Sequence, residues 1–407
     1  MIVYLTWGET PRSYGVFGSQ TIGQFKANTE VDPNLKYKFI SGVPIIHSGV
    51  LRDRLGYFDE LKKIRNRLGG ISFGLIWIPT IQTNINSNEK NFSRLHPKAA
   101  HQKLAKMLTD AHVVHCRSYH AAWAALQTKK VHDLQYKIIF DVRGFWPEEV
   151  TYRNGYSERV SGYLFRKEIE KELLEKCECI VSVSQTMKDH LFDIDGKKHN
   201  LIFLSCNTSL AQRYPVQKRS MGKYRLTYCG ALGHSTWHSP VALRNLYDKF
   251  KAELGTTCLH LITTSPSASF MDSFSGLDHQ EVSISQAHSQ EDVYKHLSDG
   301  DFYALSYRIP QNTIERTLAR AVLATKTAEY SAFGRTVLCN NYCGGASNLI
   351  DKYDLGITYS PHTHDEITKQ SLLAAFEKAP DRDLIRELFS TESHAKQYAA
   401  LYAELLS

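Results

Sequence analysis

Short apolar runs of strand length recur along the whole chain, at 2–6, 37–40, 71–78, 111–115, 137–142 and 179–184. After the midpoint they return at 225–230, 258–263, 282–286, 302–307, 336–339 and 356–359. Stretches of helical period separate most of them. Strand-length runs alternating with helical stretches predict parallel α/β sheets, and their number predicts two. A polar, basic stretch at 212–223, containing Pro215 and Gly222, marks the expected boundary between the two halves. The last helix, from about Thr391, sets Tyr398, Leu401, Tyr402 and Leu405 at helical spacing. No fixed short repeat and no low-complexity segment interrupts this order.

Two segments stand out within the pattern. Residues 51–68 place Leu51, Leu55, Phe58, Leu61, Ile64 and Leu68 every three or four positions, predicting an apolar face turned to the core. Six bases against three acids make the rest of that helix basic, so docking to anionic lipid is the alternative to an ordinary solvated face. Residues 324–339 predict a short helix and then a buried strand, with Thr325 as N-cap and Gly334 just past the C-terminus. Lys326 falls in the first turn, where the helix dipole disfavours a cation unless an anion occupies that end. Glu329, three residues on, shares its face. Such a pair can hold a nucleotide diphosphate, lysine on phosphate and glutamate on ribose. A plain surface Lys–Glu pair is the alternative.

A chain of 407 residues suits two domains of about 200 residues each. Its 42% hydrophobic and 22% charged residues are those of a soluble globular protein. No apolar run approaches the ~20 residues of a membrane span, and the first residues read as a strand rather than a signal peptide. The eight cysteines fit no zinc or disulfide framework, so reduced thiols in a cytoplasmic protein are expected. His234 and His238 have i,i+4 spacing but no ligand-rich neighbours, and no metal site is expected. A net charge of +7 suits anionic small molecules or a membrane surface, and its dispersal argues against nucleic acid. No G-x-G-x-x-G, Walker lysine motif or G-x-S-x-G elbow is present, which weakens dehydrogenase, P-loop and hydrolase readings.

Several strand ends carry more polar chemistry than folding requires. The first strand runs into a glycine-bearing loop with Gly18, Ser19 and Gln20. His115, Arg117, Tyr119 and His120 follow the fourth, where ligands bind in doubly wound sheets. The fifth ends in Asp141, Arg143, Gly144, Trp146 and Glu149. This array suits a wall that stacks on sugar and binds hydroxyls, with a structural Asp141–Arg143 ion pair as the plain alternative. In the second half, Gly230 and Gly233 form a turn after a strand, and Tyr307 with Arg308 emerge at another strand end. Ser289 to Asp292 predicts a capping box.

Residues 325–337 resemble the (S/T)-x-K-x-x-E-Y-x-A-x-G-x-P-V segment of nucleotide-sugar glycosyltransferases of family 4, with Thr336 in place of the usual proline. Residues 139–149 resemble the D-x-R-G-x-W-x-x-E signature of a bacterial subset of that family. Further matching pieces follow in family order, at 180–191 and 228–233. The resemblance implies the GT-B fold, two Rossmann-like doubly wound α/β domains facing across a cleft. It also implies an acceptor domain at 1–211, a nucleotide-sugar domain at 212–390 and a helix at 391–407 returning to the first.

By the same resemblance the reaction is glycosyl transfer from an NDP-sugar to a glycan or lipid-linked acceptor in bacterial surface polysaccharide synthesis. It is expected to be retaining and to need no metal or cofactor. The candidate catalytic residues are Lys326, Glu329, Asp141, Arg143 and His115. Donor contacts are expected from Gly230, Gly233, Tyr307, Arg308, Thr325, Lys326 and Glu329. Acceptor contacts are expected from Gly18, Ser19, Gln20, Arg117, Tyr119, His120, Trp146 and Glu149. A second glutamate, common in relatives eight residues before Glu329, is replaced by Ala321. No clear basic pair follows Gly233, and Arg308 or Arg320 is the expected substitute. A nucleotide-sugar epimerase and a non-catalytic scaffold subunit of the same fold are the competing readings.

Overall fold

The computed structural model describes residues 1–45, 53–80, 89–155, 158, 160–195, 199–214, 223–233 and 237–407. Leu51 and Arg52, His234 and most of the 212–223 stretch lie outside the described residues. The chain forms two compact units. One comprises Met1–Val183, Met187–Phe203 and Glu392–Ser407, and the other Ser184–Thr186 and Leu204–Thr391.

The first unit holds β1 (Ile2–Trp7), β2 (Tyr37–Pro44), β3 (Ser72–Ile78), β4 (Val113–Arg117), β5 (Lys137–Val142), β6 (Cys179–Ser182) and β7 (Asn200–Leu201). They form one sheet in the order β3-β2-β1-β4-β5-β6-β7, every pairing parallel. The second holds β8 (Tyr224–Cys229), β9 (Thr257–Ile262), β10 (Val282–Ser285), β11 (Phe302–Leu305), β12 (Thr336–Asn340) and β13 (Gly356–Tyr359). Its order is β10-β9-β8-β11-β12-β13, again all parallel. Central strands such as β1, β4 and β9 are buried along their whole length, as strands covered by helices on both faces must be. Twelve of these strands coincide with the apolar runs, and only β7, two residues at an edge, left no pattern to read.

In each sheet the chain order reverses once, between β1 and β4 and between β8 and β11. Beyond the carboxyl ends of the strands at such a switch point, the helices leave in opposite directions and open a crevice for a ligand. Every strand-end candidate can be placed relative to these two points.

Local signals explain most helix limits. Ser289 and Asp292 close a reciprocal capping box on the Gln290–Leu297 helix. Gly334 follows the Thr325–Ala332 helix at φ +66°, a left-handed conformation that favours glycine. One assignment is corrected. Ala324 is the N-cap, with no side-chain cap, and Thr325 is the first helical residue, so the first-turn amides carry no side-chain acceptor.

A second correction concerns the basic helix. In Arg54–Leu68 the buried stripe is Tyr57, Leu61, Ile64 and Leu68, while Leu55 and Phe58 are 82% and 60% exposed. Tyr57 takes the inward place because its ring packs edge-on against Trp77, 6.3 Å away. The Thr391–Leu406 helix buries Tyr398, Leu401 and Tyr402 in a cluster with Ile2, Val113, Ile139 and Val181 of the first unit's sheet.

Candidate functional site

In the second unit, β8 ends at Cys229 and the chain turns at Gly230, whose φ is +137°. The Thr325–Ala332 helix is tied to that strand end by Tyr330. Its hydroxyl accepts from the Cys229 amide at 2.8 Å, and its ring stacks on Tyr303 of β11 at 4.6 Å. One turn before this anchor, Lys326 lies across the strand end. Its Nζ stands 5.9 Å from the Tyr228 ring centroid, and a Cβ built on Gly230 would overlap its Cε and Nζ. Glycine is therefore required twice, for backbone conformation and for lysine packing.

Lys326 and Glu329 are both half-buried. Burial lowers the Lys326 ammonium from its ordinary value, with the Glu329 carboxylate pulling the other way. Burial pushes the Glu329 carboxyl up to about 7, opposed by Lys326. A pair strained in this way gains when an anion meets the lysine and hydroxyls meet the carboxylate.

The neighbouring residues frame the pair. His238, buried, packs on Tyr228 at 5.2 Å and Tyr307 at 4.4 Å, and burial, then Lys326, holds its imidazole well below the usual value. Nothing in the sequence singled it out for this place, because an antiparallel bridge to Tyr307 brings it there. Tyr307 is itself buried, and its carbonyl accepts from Asn340 at 2.8 Å. Arg308 donates through Nη2 to the Gly233 carbonyl at 3.0 Å, bracing the glycine turn. Arg320 is exposed, in the last turn of the Thr313–Ala321 helix. Gly230→Ala is expected to strain the backbone and displace Lys326. The loss of stability should be about 1–3 kcal/mol, read as a lower urea midpoint at unchanged slope.

In the first unit, a polar chain spans the switch point between β1 and β4. Asn28 Nδ2 donates to the Tyr402 hydroxyl at 3.2 Å, and that hydroxyl bonds His115 Nδ1 at 2.7 Å. His115 Nε2 faces Asp141 Oδ2 at 3.4 Å, and Arg143 Nη1 stands 3.6 Å from Asp141 Oδ1. Tyr398 adds its hydroxyl to Asp141 Oδ2 at 3.5 Å. Burial holds His115 below its usual pKa, so it is neutral at pH 7. Read as a network, Tyr402 donates to Nδ1 and Nε2 donates to Asp141. Burial alone would raise Asp141, but Arg143 and His115 outweigh it and hold the carboxyl below the ordinary range.

His115 and Asp141 are each 1% exposed, so they orient Arg143 from beneath. Arg143 also donates to the Gln20 carbonyl at 3.3 Å, joining the π-helical turn Phe17–Gly23 to the cluster. Arg117 is buried beside Glu9 at 3.6 Å. Ser118, which follows it, has φ +66°, a strained conformation for a residue other than glycine.

The remaining acceptor candidates have other partners. Ser19 caps back on the Gly15 carbonyl at 3.0 Å, and the Gly18 carbonyl accepts from Arg67 at 3.0 Å. Tyr119 is fully buried with its hydroxyl on Glu170 at 2.6 Å. His120 and Trp146, both buried, pack on each other at 4.9 Å. Glu149 tucks against Gly144, where a Cβ would overlap its carboxylate. The structure thus gathers His115, Arg117, Asp141, Arg143 and Gln20, while Tyr119 and His120 pack on Trp146 and Glu149 lies beside Gly144.

Residues 69–203 match the family model for Glycosyltransferase Family 4. No functionally curated protein matches the sequence. Solved structures with the same fold include sucrose-phosphate synthase from Thermosynechococcus elongatus, 14% identical with a TM-score of 0.64 over 100% of this chain and 98% of that one. The lipopolysaccharide outer core galactosyltransferase WaaB, 13% identical, superposes at 0.62 over 99% of each chain. Anabaena HepE, solved in complex with UDP and glucose, is 11% identical and superposes at 0.61 over 99% of each chain. The chain therefore has the GT-B fold over its whole length, and its residues 69–203 are similar to Glycosyltransferase Family 4.

Proposed function

We propose that the protein transfers a sugar from a nucleoside diphosphate sugar to a hydroxyl of a glycan or lipid-linked acceptor, in bacterial surface polysaccharide synthesis. One observation carries this reading: Lys326 lies over Gly230 at the second unit's switch point, with Glu329 one turn on. Phosphate oxygens fit the lysine, the glycine turn and the uncapped helix amides, and ribose hydroxyls fit the carboxylate. Crystals of the similarly folded HepE hold UDP and glucose, which supports a uridine nucleotide as the first candidate.

Transfer is proposed to proceed with retention and without a metal. In that scheme the leaving phosphate takes the acceptor proton, and Lys326 stabilises the charge developing on the diphosphate. Arg143 and Arg117, held at the first unit's strand ends, are assigned to the acceptor. No helix among the described residues is long and apolar enough to cross a membrane. Exposed Leu55 and Phe58 beside Lys62, Lys63 and Arg65 support peripheral docking of a cytoplasmic enzyme on anionic lipid.

The test is thermal stabilisation against UDP, GDP, TDP and CMP with their sugars, with and without Mg²⁺. A ligand confined to the native state at 100 times its Kd adds about 2.7 kcal/mol. A metal-independent rise with one nucleoside diphosphate is expected, and no rise with any of them would favour the scaffold. Product analysis without acceptor separates a transferase from an epimerase. A putative UDP-N-acetylglucosamine 2-epimerase from Listeria monocytogenes shares the fold at a TM-score of 0.51.

A further inference from the structure

The Thr391–Leu406 helix meets the first unit's sheet in two ways. Its packing is apolar, with Tyr398, Leu401 and Tyr402 on Ile2, Val113, Ile139 and Val181. A helix that only covered the sheet would need no more than this. Yet both tyrosine hydroxyls run to one place, the buried pair His115 and Asp141 beside Arg143.

The hydrogen bonds along this path have one direction. Gln24 Nε2, on the Gln24–Val31 helix, donates to Asn28 Oδ1 at 2.9 Å, which leaves the Asn28 amide nitrogen to donate to the Tyr402 oxygen. Burial holds the Tyr402 hydroxyl well above its usual pKa, so it keeps its proton and donates to His115 Nδ1. A neutral imidazole that accepts at Nδ1 carries its own proton on Nε2, the nitrogen that faces Asp141. With the Tyr398 hydroxyl on the same oxygen, Asp141 Oδ2 is held from two sides. Oδ1, with no hydrogen bond among the described residues, is left facing Arg143 at 3.6 Å. Every member of the path but the last is buried. Arg143, just past the end of β5, keeps 11% of its side chain exposed. Bonds in such a chain polarise one another, so a loss at one end is felt at the other. Without the Tyr402 hydroxyl, His115 Nδ1 becomes an unpaired buried acceptor. The ring then gains by turning, which takes Nε2 off Asp141 and frees the carboxylate that fixes Arg143.

We infer that Tyr402 is a positioning residue, which holds Arg143 through His115 and Asp141 in the orientation that meets the acceptor. This rests on the transferase reading, but Arg143 can be followed without a substrate. The full chain is treated with phenylglyoxal, which modifies accessible guanidinium groups, and the adducts are measured by peptide mass spectrometry. Tyr402→Phe keeps the ring in the apolar cluster and should raise the rate at Arg143 about three- to tenfold. Arg153, 52% exposed, and Arg166, 3% exposed, should keep their parent rates. Asn28→Ala, on a different helix, removes the bond that orients the Tyr402 hydroxyl and should act in the same direction more weakly. A rate at Arg143 unchanged in both variants overturns the inference. So does one that rises together with Arg166, because a loosened fold exposes every buried guanidinium.

Transfer is then followed from UDP-glucose, GDP-mannose and TDP-glucose to octyl glucoside, galactoside and mannoside. Tyr402→Phe should lower kcat/KM for the acceptor about tenfold with the donor KM unchanged. In an Arg143→Ala background it should have no further effect, whereas a merely structural loss would persist there and overturn the inference. Arg143 freed in a chain that transfers no sugar sinks the transferase reading and leaves the positioning. Transfer at the parent rate in Tyr402→Phe does the reverse.

Discussion

Lys326→Ala is expected to lower kcat/KM for sugar transfer by about 10²–10³-fold while leaving the melting temperature almost unchanged. The two halves of this expectation come from the same geometry. Lys326 is held over Gly230 and Tyr228 by a helix whose anchor, Tyr330, is a full turn away, so removing the ammonium leaves the helix in place. Burial already disfavours the charged form, so the folded protein without ligand gives up little when the charge goes. The effect should fall on kcat more than on KM, because charge on the leaving diphosphate grows toward the transition state. Lys326→Arg is the informative companion. A guanidinium is broader and planar, and the space above Gly230 admits little more than a lysine stem, so arginine should restore only a small part. Full transfer activity in a folded Lys326→Ala protein would remove the lysine from the mechanism.

The sheets were legible because parallel strands covered on both faces must be apolar along their length, and those runs survive in the sequence whatever surrounds them. The strand-end chemistry was legible only as a set of residue types. Asp141 and Arg143 end where a switch point needs them, but so do Tyr119 and His120 in the sequence, and their side chains go elsewhere. The difference lies in backbone direction. Ser118, at φ +66°, sets how the helix leaves β4, and that turn sends Tyr119 to Glu170 rather than to Arg143. Nor does periodicity reveal that Tyr402 reaches His115 across 287 positions, or that Tyr330 reaches Cys229 across 101. Both were visible as aromatic residues on helices. Their hydroxyls became structural only when the chain brought buried polar partners to them, and buried polar groups must be paired. The basic helix shows the converse. Its periodic series admitted two phases, and the ring of Tyr57 against Trp77 selected the one that leaves Leu55 and Phe58 outside.

Nucleotide affinity should weaken about tenfold between pH 8 and pH 6, and Glu329→Gln should abolish that dependence while binding weakly throughout. The carboxyl titrates near 7 because it is buried, with Lys326 resisting the shift. Ribose hydroxyls donate, so they require the ionised form. Below 7 the free protein must first lose a proton, and each further pH unit then costs a factor of ten. Binding should therefore release a proton near neutrality, visible as a buffer-dependent heat. Stability runs the other way. A carboxyl raised in the folded state favours folding fully below its unfolded value of about 4.3, and this contribution is lost as pH rises through 7. Glu329→Gln should accordingly melt higher than the parent at pH 8 and nearly level with it at pH 5. Lys326→Ala should push the midpoint of the binding profile above 7, since it removes the cation that opposes the shift. A flat pH profile in the parent protein, with Glu329→Gln binding nucleotide as well as it does, would mean that the carboxylate does not face the ribose. A carboxylate kept at such a cost to the fold, one turn from a lysine under the same strain, is otherwise difficult to explain without a ligand that satisfies both.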